Sequence, residues 1–413
     1  ACPDCGPSVR LVDRDGSELC APAGAGGAEP VARAAAALRD GAIVAVKGLG
    51  GFHLACVAAD RDAVARLRGR KHREDKPFAV MTGSLEAART MVELDEPETA
   101  LLTGRARPIV LARRRTDAPV ADAVAPGHRD LGVMLPYSPL HHLLLGDAGT
   151  ALVMTSGNVS DEPIAYRDGE ALERLAGIAD LFLLHDRPIH TRTDDSVVRV
   201  VSLGGERRPL MLRRSRGWVP MPLALPEPLS VPLVACGAHL KNTFTVARGR
   251  RAWVGHHVGD LENYETLRSF EEGIAHFETL FEVAPRAVAH DLHPDYLSTR
   301  YARDRAEAQG LARSAVQHHH AHMVACLGEH GVEGPALGVI YDGTGYGPDG
   351  TVWGGELLAG DAASCERIGH LWPARLPGGE AAVRRPWHMA CSWLCELEAV
   401  SYTHLRAHET KAN

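Results

Sequence analysis

Residues 43–77 pass from an apolar run into a glycine turn, then a helix, then a crowded cationic loop, and this succession restricts the fold more than any other stretch. Ile43, Val44, Ala45 and Val46 are bounded by Gly41 and Gly48, the pattern of a short buried strand. Gly48, Gly50 and Gly51 permit a sharp turn and a close approach of the backbone to a ligand. Residues 60–70 read as a helix with Val64 and Leu67 on one face. Arg68, Arg70, Lys71, Arg73 and Lys76 then place five cations in nine residues, closed by Pro77. Charges so close repel one another unless water or an anion relieves them. A solvated basic face is the plain reading; a phosphate or carboxylate clamp is the functional one, because Arg and Lys donors suit anionic oxygens.

A second stretch favours the clamp. Leu152, Val153 and Met154 form another buried-strand pattern, followed directly by Thr155-Ser156-Gly157-Asn158. A small polar turn at the carboxyl end of a strand is where open α/β sheets bind ligands. Lys71, Arg73, Lys76, Ser156 and Asn158 are the catalytic set that a resemblance to the YrdC family implies.

The chain has 413 residues, enough for two or three domains, and 45% of them are hydrophobic, which supports real cores. Its net charge of −7 argues against general nucleic-acid binding, so any basic site must be local. No apolar run approaches the length of a membrane span and no signal pattern opens the sequence, so the expected location is cytoplasmic. Nine cysteines are few for this length and do not form an oxidising framework.

Five regions are expected. Residues 1–27 open with Cys2-Pro-Asp-Cys5, a knuckle that supplies half of a four-cysteine zinc site, and end in a Gly/Ala-rich linker. Residues 28–220 read as one α/β domain with strands near 77–81 and 108–112 and a helix at 84–94. In it, Asp194 and Asp195 could place Mg²⁺ or be a charged strand end. Residues 221–230, MPLALPEPLS, read as a linker. Residues 231–399 form a second α/β domain, with strands at 287–291 and 335–341 and a helix at 265–283 whose Leu267, Phe270, Ile274, Phe277 and Leu280 are spaced as one face. Residues 342–350, DGTGYGPDG, read as a glycine-rich turn. Residues 400–413 are unpatterned and read as a non-native tail.

His318 and His322 lie four apart at a helix start, so their imidazoles face one side, one turn apart. Asp342, ending the following strand, could add an oxygen ligand, which makes a zinc or iron site. The alternative is a polyhistidine surface cluster.

Lys71-x-Arg73 with Lys76-Pro77, and Ser156-x-Asn158, resemble the signature of the YrdC family, which makes acyl-adenylates from ATP. The acid and glycines from Asp342 resemble the phosphate turn of actin-like, ribonuclease H-like ATPases. The order Cys-x-x-Cys, YrdC-like domain, then GAHLKN, HHVGDLE, DLHPDY, HHHAH and DGTGYG resembles the HypF family of hydrogenase-maturation carbamoyltransferases. That resemblance implies a YrdC-like open sheet followed by an incomplete actin-like domain, and ATP, Mg²⁺ and zinc or iron as cofactors. It implies carbamoyl phosphate, hydrolysed to carbamate by an upstream acylphosphatase domain, then carbamoyl adenylate, then transfer to a cysteine thiol of HypE. It implies that His318, His322 and Asp342 hold a metal that meets nucleotide phosphates. Nucleotide contacts are further expected at Lys47, His53, Asp195, Arg214, Lys241, Asn242, Gly343 and Gly345. Since the acylphosphatase domain and a second lobe are not in this sequence, a fragment that retains adenylation is expected.

Three readings share parts of the pattern. A threonylcarbamoyl-adenylate synthase for tRNA modification has the same Lys-x-Arg and Ser-x-Asn pair but does not need the HHHAH domain. A small-molecule O-carbamoyltransferase has both domains in the reverse order. A non-catalytic RNA-binding module would use the basic loop, against the negative net charge and the lack of interleaved aromatics.

Overall fold

The computed structural model describes residues 6–19, 28–159 and 162–396. Two compact units result, one running to Val288 and including Tyr301–Ala312, the other made of Ala289–Arg300 and the chain from Arg313 on. No described helix is long and apolar enough to cross a membrane.

The first unit is built on ten strands: β1 Val9–Asp13, β2 Val44–Lys47, β3 Phe52–Val57, β4 Ala79–Met81, β5 Ile109–Arg113, β6 Asp130–Met134, β7 Leu152–Ser156, β8 Leu181–His185, β9 Val197–Leu203 and β10 Glu206–Arg213. They form one open mixed sheet in the order β1-β8-β2-β3-β7-β4-β6-β5-β9-β10. The central strands are buried on both faces, which is why β2, β3 and β7 read as nearly continuous apolar runs. One core lies on each face. Phe52, Leu54, Val64, Leu67, Phe78 and Phe182 pack on one, and Val31, Leu38, Val46, Met134, Leu144 and Met154 on the other.

Helix Arg61–Arg70 is capped by Asp60, whose carboxylate accepts from Asp62 N and Ala63 N. Helix Leu85–Met91 stops short of the expected 84–94, and a second helix, Glu96–Thr103, starts on an Asp95–Glu98 capping box. β3, between the glycine turn and the first of these helices, is absent from the sequence expectation.

The proline-rich stretch is not a free linker. Leu223–Ala224 forms β11, which pairs with β14 Arg251–Val254, and Leu229 N donates to Gly249 O. β12 Leu233–Ala235 and β13 Thr245–Arg248 continue that antiparallel ladder. Helix Tyr264–Leu280 buries Phe270, Ile274 and Phe277 of the apolar stripe read from the sequence, while Leu280 at its end is exposed.

β15 Ala287–Asp291 and β16 Ala312–Val316 lead into the second unit. There, β17 Ala336–Tyr346, β18 Val352–Gly360 and β19 Cys365–His370 form an antiparallel sheet, and Met323 of helix His318–His330 packs with Trp353 and Leu358. β17 runs through Asp342–Tyr346, so the glycine-rich segment is strand first and turn only after Tyr346. Its irregularity appears instead as a register shift between Tyr341 and Gly345.

Candidate active site and metal centre

In the first unit the two sequence halves meet. Lys71, 1% exposed, donates through Nζ to Ser156 O at 2.8 Å and to Asn158 O and Asn158 Oδ1, each at 2.5 Å. Ser156 Oγ donates to the same Asn158 oxygen at 2.8 Å. Gly157 is required at this turn because a Cβ would lie 2.7 Å from Phe52 O. Arg73 donates to Lys76 O, Thr155 Oγ1 and Pro77 O at 2.9, 3.2 and 2.7 Å. Arg68 holds the carbonyls of Arg73, Glu74 and Ala123, and Arg70 pairs with Asp180 at 2.8 Å. The crowded cations are thus relieved largely by carbonyl oxygens, which fixes the shape of the loop, while Lys76 lies exposed on it.

Behind the turn is a buried polar cluster. His53 faces Ser156 across the β3–β7 ladder, and its Nε2 is 3.0 Å from Asp195 Oδ2 and 3.3 Å from Tyr137 Oη. Arg216 Nε donates to Asp195 Oδ1 at 2.8 Å, and its guanidinium lies 3.4 Å from the Tyr137 ring centroid. Burial opposes ionisation of Asp195, but the His53 hydrogen bond and the Arg216 charge hold its pKa well below the usual carboxylate range. Burial pushes His141, packed edge-on against both rings, down to about 3.

In the second unit, His318, His322 and Asp342 present ligand atoms within 4.8 Å of one another. His318 Nε2 is 2.9 Å and His322 Nε2 3.5 Å from Asp342 Oδ2. His318 Nδ1 is 2.6 Å from Asp291 Oδ2. Hydrogen bonds to Asp291 and Asp342 push His318 up to about 9, and those from His318 and His322 hold Asp342 far below the carboxylate range. Two imidazoles and one carboxylate oxygen converge, a donor set that fits zinc or iron. Asp291, bonded to the far nitrogen of His318, would orient that imidazole toward a metal.

Comparison with known proteins follows this geometry. The family profile for Sua5, YciO and YrdC, described as telomere recombination, matches residues 36–215. Those for the HypF Kae1-like domain and for the carbamoyltransferase Kae1-like domain, second subdomain, match 229–329 and 338–413. The carbamoyltransferase HypF2 of Cupriavidus necator is 49% identical over 384 residues, 89% of this chain and 47% of the relative. Carbamoyltransferase HypF of Rhodobacter capsulatus is 46% identical over 410 residues, 98% of this chain and 53% of the relative. A crystal structure of full-length HypF in the phosphate- and nucleotide-bound form matches all of this chain with TM-score 0.89 at 42% identity, covering 53% of that protein. This chain belongs to the HypF family. The HypF of T. kodakarensis superposes equally well, with TM-score 0.89 at 37% identity, over 96% of this chain and 50% of that one. The chain spans about half the length of the curated relatives it matches.

Several residues expected to contact nucleotide have partners within the protein. Lys47 is buried on Asp168 at 2.6 Å and on His185 O at 2.9 Å. Arg214 donates to the carbonyls of Val254, Trp218 and Met221. Asn242 is buried, with Nδ2 on Cys236 O and Ala238 O, and the Lys241 amide donates to Asp260. Gly345 is needed for packing, since a Cβ there would sit 2.5 Å from His319 Cε1, whereas Gly343 has open space. The Mg²⁺ reading of Asp194–Asp195 gains nothing from the geometry. Both Asp195 oxygens are engaged by His53 and Arg216, and Asp194 is 3.8 Å from Arg213. His319 and His320 each bond a carbonyl, of Gly354 and Asp361. Cys2, Cys5 and residues 400–413 lie outside the described residues. Asp291, Tyr137, His141 and Arg216 were missed. Asp291 stands in the sequence as the first residue of the DLHPDY motif.

Proposed function

We propose that this chain makes carbamoyl adenylate from carbamate and ATP and passes the carbamoyl group to a cysteine thiol of the partner protein HypE. A carbamate oxygen attacks the α-phosphorus, the bond to the β-phosphate breaks, and pyrophosphate leaves with the electron pair. The thiolate then attacks the carbamoyl carbon and AMP departs. Both partners of the first step are anions, so the loop from Lys71 to Lys76 supplies positive potential against their repulsion. Ser156 and Asn158 orient the small planar acid through hydrogen bonds. His318, His322 and Asp342 would hold a zinc or iron ion, which supplies a Lewis-acid contact for phosphate oxygens.

What supports this reading most is Lys71, whose ammonium ties the basic loop to the Ser156–Asn158 turn. The order of the matched domains favours it over a threonylcarbamoyl-adenylate synthase. The test is ATP–pyrophosphate exchange with the purified chain, supplied in turn with carbamate and with bicarbonate plus threonine. Exchange that depends on carbamate is expected; exchange that needs threonine would overturn the reading.

A further inference from the structure

The Asp195 side chain is only 9% exposed, so most of its hydration is gone and donors within the protein must replace it. Arg216 Nε donates to Oδ1 at 2.8 Å, and His53 Nε2 donates to Oδ2 at 3.0 Å. A carboxylate only accepts, so Nε2 is a ring nitrogen that carries hydrogen. Arg216 is itself anchored, by the carbonyls of Ala106 and Arg107 at 3.1 and 2.8 Å and by the face of Tyr137. Its backbone is tied to the same place, with Arg216 N on Asp194 O at 3.1 Å. The aspartate is thus held from behind, and the group whose orientation it sets is the His53 imidazole.

His53 stands where two turns of the candidate site meet. In β3 it lies directly opposite Ser156 of β7. Facing residues of an antiparallel pair project from the same side of the sheet, with Cβ atoms roughly 5 Å apart. Ser156 Oγ donates to Asn158 Oδ1, the oxygen that also receives Lys71. With Nε2 on Asp195, the other nitrogen of the ring faces the glycine turn, where a Cβ on Gly48 would fall 3.1 Å from His53 Nδ1. Phe52, the preceding residue, ties in the second turn through its backbone: Gly157 N donates to Phe52 O at 2.6 Å. The imidazole therefore fills the space between the glycine turn and the strand that carries Ser156, and Asp195 sets how it is rotated there.

We infer that Asp195, acting through His53, is a positioning residue of the adenylation site, holding the glycine turn and the Ser156–Asn158 turn in register for the small acid. The inference rests on the adenylation reading and deepens it. Wild type, Asp195→Asn, Ser156→Ala and the double variant are compared by carbamate-dependent ATP–pyrophosphate exchange and by amide hydrogen exchange. Asp195→Asn is expected to lower kcat about 10- to 100-fold, the cost of misplacing a bound group, with the KM for ATP nearly unchanged. In the Ser156→Ala background the same substitution is expected to cost little more, because the two residues act as one unit. The Gly157 amide is expected to exchange about tenfold faster in Asp195→Asn, while amides of β1 and β8 in the same sheet keep their rates. His53→Gln, whose amide still donates to Asp195, is expected to show the same losses and takes the place of Asp195→Asn should that variant not fold. Effects that multiply in the double variant, or faster exchange across the whole sheet with a lowered melting temperature, would mean a merely structural role and overturn the inference. Wild-type exchange with kcat unaltered in both Asp195→Asn and His53→Gln would sink this inference alone. Wild type without carbamate-dependent exchange would sink the adenylation reading, and the Gly157 amide then decides the positioning: faster exchange there alone keeps it, an unchanged rate removes it.

Discussion

The basic loop of the first unit and the histidine cluster of the second were both singled out by their density of chemistry-bearing residues, and they use that density in opposite ways. In the loop, Arg68, Arg70, Lys71 and Arg73 turn towards carbonyl oxygens and Asp180, so charge builds the shape of the site. In the cluster, His318, His322 and Asp342 turn towards one another, in an arrangement that could hold a metal ion. Crowding of like charges in sequence therefore says little about which cation meets a substrate. Helical spacing of two imidazoles says a good deal, because geometry fixes their common face.

The largest effect expected is on the loop. With carbamate supplied directly, Arg73→Ala should lower adenylate formation about 100-fold or more, the scale of losing one transition-state donor. Equal adenylate yield from the variant and wild type would place the pocket elsewhere.

Next comes the cluster. His322→Ala removes a ligand and should leave the metal-loaded protein with little zinc or iron by elemental analysis. Asp291→Asn keeps a hydrogen-bond acceptor beside His318 but loses the charge, and metal affinity should fall about tenfold to a hundredfold. Equal metal content in wild type and His322→Ala would return the cluster to a polyhistidine surface.

The smallest effect concerns the packing behind the loop. Burial holds His141 near 3 and His256, which packs edge-on against Phe244 elsewhere in the first unit, near 4. Both folded values lie below the unfolded value of about 6.5, so on acidification the unfolded chain binds protons first. Their neutral burial costs nothing above about pH 6.5, and stability drops by roughly 1.4 kcal/mol per pH unit for each as pH falls below it towards the folded values. His141→Leu should remove its share of that slope in urea unfolding at pH 7 and pH 5.5. A slope unchanged by the substitution would mean that His141 takes up a proton as readily folded as unfolded.

Much of this fold was legible where the pattern is local. The stripe Phe270, Ile274, Phe277 gave a helix, and the apolar runs before Gly48 and Thr155 gave strands. β3 was not legible, because its FHLACV begins inside a glycine turn and carries a histidine that only tertiary contact with Asp195 explains. The proline-rich 221–230 looked like a linker because its pairing partner, β14, lies almost thirty residues on. In the site, the residue types were readable but not their partners. Whether Lys47 meets a nucleotide or Asp168 depends on a contact more than a hundred residues away. Arg216 and Tyr137 were invisible for the same reason.

The central claim is that adenylation belongs to the loop of the first unit and metal binding to the cluster of the second. It is tested most directly by measuring carbamate-dependent ATP–pyrophosphate exchange in wild type, Arg73→Ala and His322→Ala side by side. The account predicts that Arg73→Ala loses about 100-fold while His322→Ala exchanges as wild type does. Loss of exchange in His322→Ala equal to that in Arg73→Ala would contradict it.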